Sequence, residues 1–242
     1  MNKLLALFLL CSSLSVAAQT TKEYNDPRAK IRNITGTFNS ISVSSGIQLF
    51  LTQANEIALA TSVSDDKYEE RFKTEVVNGV LKIYYDNKGM TWSNDKNRKL
   101  KAYLSVKDIN AISGSSGASV RLSSAINLSN LSMNFSSGSL FTGELNVTSL
   151  EVNASSGANI STSGTADKTE ISLTSGALFK GYDLVSQYCS AKANSGAVIR
   201  VEVAKELKAS ANSGAVISYE GDPQVNRGRI NSGGTVKKAS YL

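Results

Sequence analysis

The 242-residue chain contains no histidine. That removes Ser-His-Asp and Cys-His catalysis, and with them most zinc sites. Two Ser-x-x-Lys pairs, Ser64/Lys67 and Ser93/Lys96, have the spacing of a lysine-activated serine nucleophile. Such a lysine must be buried, with a lowered pKa. Ser64 and Lys67 instead fall at the start of an expected helix, where serine caps and lysine is solvated, so neither pair is expected to be catalytic. Carboxylate clusters are the other route, as an acid/base pair or around calcium. The acids are thin along the second half: Glu144, Glu151, Asp167, Glu170, Asp183, Glu202, Glu206, Glu220 and Asp222. They read as solvated charges. A groove-lining row would require acids, Tyr and Arg of successive segments to meet on one face.

Two further residue types could contact a ligand. Trp92 is the only tryptophan and lies in the polar stretch "DNKGMTWSNDKNRK". There it could stack on a sugar or a partner, or tuck back as a loop anchor. Cys189 sits in the alternating stretch "YCSAKA" and reads as a small buried hydrophobe, with no histidine to activate it. No glycine pattern for phosphates or dinucleotides lies between a strand and a helix. No cofactor or metal is expected, and the chain is read as non-enzymatic. The densest basic run, Lys96, Arg98, Lys99 and Lys101, reads as a solvated loop and strand edge. With a net charge of only +6, nucleic acid is not an expected partner.

The elements that must position these side chains announce themselves by repetition. "NSGAVIR" at 194–200 returns as "NSGAVIS" at 212–218. Every related Ser-Gly can be aligned on Gly46, Gly117, Gly138, Gly157, Gly176, Gly196, Gly214 and Gly233. From Gly117 onward the spacings are 21, 19, 19, 20, 18 and 19, the period of a solenoid. The residue three after each glycine is always apolar, and the one directly after is small in seven of eight cases. Positions five and three before are mostly apolar or small, as in Met133/Phe135 and Ile171/Leu173. These offsets share one parity, which is the alternation of a β-strand and not of a helix.

The expected unit is a strand, a glycine bend, a strand and a polar turn: one coil of a right-handed parallel β-helix. In-register stacking would align the repeated serines, and Asn194, Asn212 and Asn231, as ladders along the axis. An antiparallel sandwich also fits many short strands, but it has no reason to repeat its corners. Whether the serines face inward stays open: strict alternation turns them in, and a left-handed glycine turns them out.

Residues 1–18 read as a secretory leader, with Lys3, the apolar run Leu4 to Leu10 and cleavage after Ala18. Cys11 raises a lipoprotein reading, but Leu10 before it is not small. Residues 19–34 follow as a flexible segment. Residues 35–112 form the first coils with an N-terminal cap, and 113–242 the regular coils of the same domain. The cap holds a helix over Asp66 to Phe72, from an Asp66/Glu69 capping box and a Glu69/Lys73 pair, and a hairpin at Asn78-Gly79.

The leader, "FNSISVSSGIQLFLTQ", the helix and hairpin, and the serial Ser-Gly-Ala coils together resemble the auto-transporter adhesin head GIN domain family of Gram-negative bacteria. The resemblance covers about residues 35–235. It implies an exported β-helix in the periplasm, at the outer-membrane surface or outside the cell, with no catalytic residues to carry over. No translocator barrel follows the coils, so self-export is not expected. The function expected is an adhesive or structural binding surface, with carbohydrate binding or lyase-like activity as the alternative. Surface glycans or envelope proteins are the partners in view. An open end or a flat coil face also allows association into oligomers.

Overall fold

The structure is a computed structural model, and it describes residues 26–89 and 97–239. The short strands at the start are β1 (Lys30–Arg32), β2 (Ser40–Val43), β3 (Gln48–Gln53), β4 (Ala58–Val63), β5 (Phe72–Val77), β6 (Val80–Tyr85), β7 (Leu100–Val106), β8 (Ala111–Gly114), β9 (Ser119–Leu122) and β10 (Ile126–Phe135). Four long strands follow: β11 (Leu140–Ala154), β12 (Asn159–Leu173), β13 (Leu178–Ala193) and β14 (Val198–Asn212). The chain closes with β15 (Val216–Glu220), β16 (Gln224–Asn231) and β17 (Thr235–Lys238). Pairing between successive coils is parallel, in the register that the glycine spacing sets: Phe141 lies on Ile160, Ile160 on Phe179, and Phe179 on Ile199. The sandwich is therefore excluded and the fold is a parallel β-solenoid of about seven turns.

Each Ser-Gly is a two-residue turn with both members in the left-handed region. Ser195 has φ 52° and Gly196 φ 70°, and the other seven pairs match them closely. The N–H of Ala197 closes the turn on Asn194 O at 3.2 Å. That is the geometry of a type I′ turn, which needs positive φ at both central residues. The double left-handed step breaks the alternation. Serine is thus turned outward: seven of the eight serines are exposed and Ser45 is half-buried. The residues directly after glycine turn in, and Ala118, Ala158, Ala177, Ala197 and Ala215 are buried.

No ladder of serine hydroxyls or of Asn194, Asn212 and Asn231 amides joins the corners among the described residues. The backbone joins them instead. Gly46 N–H donates to Ser116 O, Gly117 to Ser137, Gly138 to Ser156, and so on to Gly214 and Ser232, at 3.0–3.1 Å. A side-chain ladder does exist, but elsewhere: Asn127 N–H donates to Gln53 Oε1, Asn146 Nδ2 to Asn127 Oδ1, and Thr165 Oγ1 to Asn146 Oδ1.

The expected polar turn within each coil is also absent. β11 to β14 run unbroken over 15 or 16 residues from one Ser-Gly to the next, so each of these coils has a single sharp corner. Length variation is absorbed by register shifts in the strands, between Ser161 and Gly164 and again after Gly181. Bulges of this kind add a residue without ending the pairing.

The first coil is threaded out of order. β2 pairs with β6 on one side and β8 on the other, and β3 likewise with β7 and β9. The chain leaves this coil, builds the next level outward as β6 and β7, and then crosses back to continue inward. Gly46 thus stacks directly on the corner of Gly117, 71 positions later. The N-terminal end is closed by antiparallel strands: β4 on β7, β1 on β4, and β5 on β6 through the expected Asn78-Gly79 turn, with φ 52° and 75°.

The expected helix is one 3-10 turn, Asp66–Tyr68, capped by Asp65 and not Asp66. Its would-be end, Phe72, already belongs to β5. Glu69 accepts from Arg32 of β1 instead of pairing with Lys73, which is exposed on β5. Tertiary pairing of β5 with β6 outweighs a local preference worth only a few tenths of a kcal/mol.

Candidate functional site

The face leading into the Ser-Gly corners carries the chemistry that the sequence scatters. Register aligns Ser149, Lys168, Tyr188 and Glu206 in one outward column, and Glu151, Glu170, Ser190 and Lys208 in the next. Neighbouring strands are about 4.8 Å apart, so residues some 19 apart in sequence become lateral neighbours. Together they line an open groove of about 440 Å³ across four coils. Leu150, Thr169 and Cys189 form its floor, turned toward the core.

Tyr188 is the aromatic of this groove and is 44% exposed. Lys205 Nζ lies 5.5 Å from its ring centroid. Glu170 is 3.7 Å from Lys192, and Glu206 is 3.4 Å from Lys208. Three carboxylates thus face Lys168 and Lys208, with Lys205 and Lys192 beside them, so the groove carries little net charge. A second hollow of about 430 Å³ lies toward the corner. Ser113, Ser115, Asn134, Ser136, Asn153 and Ser155 line it with hydroxyls and amides.

The residues singled out in the sequence are distributed as follows. All eight repeat glycines sit in the corners and have a structural role. Trp92, Ser93 and Lys96 lie outside the described residues. Ser64 Oγ donates to Asn97 O at 2.8 Å and accepts the N–H of Lys99 at 3.0 Å, which makes it a loop clamp. Lys67 is engaged elsewhere, 3.6 Å from Asp65 and 4.9 Å from the Tyr68 ring centroid. The Ser64/Lys67 pair is therefore not assembled. Cys189 is buried, and burial pushes its thiol up to about 12, so the thiolate nucleophile is not available at neutral pH. Of the basic run, Lys96 lies outside the described residues, Arg98 lies over the Tyr85 ring at 4.4 Å and Lys101 is 3.6 Å from Asp26. Among the described residues no three acids or cysteines are grouped to hold a metal ion. Nor is any helix there long and apolar enough to cross a membrane.

Sequence reasoning missed Tyr188. Its partners are Lys168 before it and Glu206 after it, at unequal separations of 20 and 18. A fixed period cannot align such a set. The signal available was the alternation itself, which puts Tyr188 and Ser190 outward on either side of Cys189.

The fold is thus a parallel solenoid with one sharp corner per regular coil, a closed N-terminal end and a polar groove on one face. The sequence matches, over residues 37–223, the profile of the family described as "Putative auto-transporter adhesin, head GIN domain", and the chain belongs to that family. Solved structures share the fold at low identity. A putative adhesin from Bacteroides fragilis has a TM-score of 0.77 at 17% identity, over 88% of this chain and 98% of that one. A putative adhesin from Parabacteroides merdae has a TM-score of 0.68 at 16% identity, over 89% and 98%. A protein from Parabacteroides distasonis described as a putative lipid binding protein has a TM-score of 0.65 at 17% identity, over 89% and 98%. No curated protein matches the sequence.

Proposed function

We propose that this protein is a non-enzymatic, exported envelope protein that binds a partner through the groove around Tyr188. Membership of the adhesin head family supports a surface role. The leader-like residues 1–18 support export to the periplasm, the outer-membrane surface or the exterior of a Gram-negative cell. The observation that carries the binding reading is the convergence of Tyr188 with Glu151, Glu170, Glu206, Lys168 and Lys208 on one face. In the sequence these groups have no common motif.

The same convergence favours a neutral glycan over a charged ligand. An exposed tyrosine ring offers a flat apolar platform, and alternating carboxylates and ammonium groups can bond hydroxyls from both sides. The groove is open to water, Glu170 and Glu206 are ion-paired on the surface, and Glu151 accepts a hydrogen bond from Asn153 Nδ2. An acid/base pair for glycoside cleavage would instead need carboxyls set in an environment that separates their roles. Binding is thus the better-supported reading of the groove, and lyase-like chemistry the weaker.

A glycan array probed with the full chain tests this. Retention on neutral oligosaccharides, lost in Tyr188→Ala and kept in Trp92→Ala, is the expected outcome. Retention unchanged in Tyr188→Ala would move the site away from this groove, and silence on the array would leave protein partners or a structural role.

A further inference from the structure

The two ends of the solenoid are built differently. Antiparallel strands close the N-terminal end. At the other end β16 pairs with β14 alone and β17 with β15 alone, among the described residues. Each therefore keeps one row of backbone N–H and C=O groups without a strand partner, which is a template for another strand.

The side chains at this end have an apolar centre and a basic rim. Val225 and Val236 pack half-buried against the core, and Ile230, stacked on Ala211, is 37% exposed. Arg227, Arg229 and Lys237 are exposed beside them, and none forms an ion pair among the described residues. Lys238 is bound to Asp222. Arg227 continues the inward column of Met133, Val152, Ile171, Ala191 and Ala209. A cation stands where every earlier coil places an apolar or small residue.

We propose that this edge accepts an extended acidic segment of a partner protein as one more strand. Charge selects the occupant. Three unpaired cations on two short strands attract carboxylates, and the same cations oppose a second copy of the chain. Two copies joined through β16 would bring Arg227 and Arg229 against their counterparts, and like charges directly opposed across a strand pair are destabilising. A segment alternating apolar and acidic residues meets both needs. One parity covers Val225, Ile230 and Val236, with Arg227 exposed on that same face, and the other reaches Arg229 and Lys237.

The test uses fluorescence anisotropy of a labelled alternating Glu-Val peptide with the full chain, and a Lys-Val peptide as control. The Glu-Val peptide should bind and the Lys-Val peptide should not. N-methylation of alternate peptide amides should abolish binding, because it removes the ladder donors. Arg227→Ser, Arg229→Ser and Lys237→Ser together should weaken binding about tenfold or more. These positions are exposed, and an unchanged circular dichroism spectrum checks the variant's fold. Failure of the Glu-Val peptide to bind, equal binding of both peptides, or indifference to N-methylation overturns the proposal. A concentration-dependent dimer of the full chain in light scattering would assign the edge to a second copy and overturn it too.

Discussion

Serine at φ near 50° is an uncomfortable choice, since a left-handed L-residue costs on the order of 1–2 kcal/mol. Eight corners repeat that cost. Each corner recovers a backbone bond within the turn and another between coils, worth roughly 0.5–1.5 kcal/mol each. The two terms come close to cancelling, so the corner shapes the coil without stabilising it. The stabilisation lies in the buried residues that the corner aims inward, Ala197 and Ile199 in the coil of Gly196. A Cβ at Gly196 would meet no atom within 4 Å, so the cost of replacing the glycine is chiefly that of its left-handed φ. Gly196→Val should destabilise by about 1–3 kcal/mol, read as a lower midpoint in urea with an unchanged slope. An unaltered midpoint would refute the left-handed assignment.

Among the elements, β7 shows how the cap is fastened. Tyr103 donates to Asp26 Oδ2 at 2.8 Å, which ties the segment before β1 to the solenoid. Burial, the largest influence, pushes the Asp26 carboxyl up. The bonds from Tyr103, the Arg28 N–H and Ser62, and the charge of Lys101, outweigh it and hold the group below its usual value. Tyr103 is pushed up to about 12 by burial, by that same bond and by the Asp26 charge. A lowered carboxyl contributes stability above about pH 4, and this is lost as pH falls through the folded value. A raised phenol contributes below about pH 10, and this is lost as pH rises toward 12. Thermal stability should thus fall at both extremes. Asp26→Asn should flatten the acid limb by about 1 kcal/mol, and a melting curve between pH 7 and 3 as steep as the parent's would contradict the tie.

The regular coils were legible at this scale because the inward columns repeat residue types: Ile160 on Phe179 on Ile199. The out-of-order first coil was not. Ser45-Gly46 looks like any other corner, and only pairing places β6 and β8 on opposite sides of β2. The short helix failed for the same reason, since Glu69 has its partner 37 residues away in Arg32. The groove was half legible: the acids were in view, but the bulged register that gathers them around Tyr188 was not.

For the whole molecule, the threading of the first coil sets an order of assembly. A chain appearing from its N-terminus presents β2 and β3 before any of the strands that flank them. That coil finds neither neighbour until β6 and β7, and then β8 and β9, have followed. From β10 onward each strand needs only a predecessor already in place. The first ~120 residues are therefore a single cooperative unit, and the rest is growth on a finished template. Ending the chain after Asn212 should leave a folded stump with protected amides in its first coils. Starting it at Ser115 should leave no protected core, and hydrogen exchange showing otherwise would sink this order. A chain arrested at any later coil would still hold its shape, whereas damage before residue 115 would reach every coil beyond it.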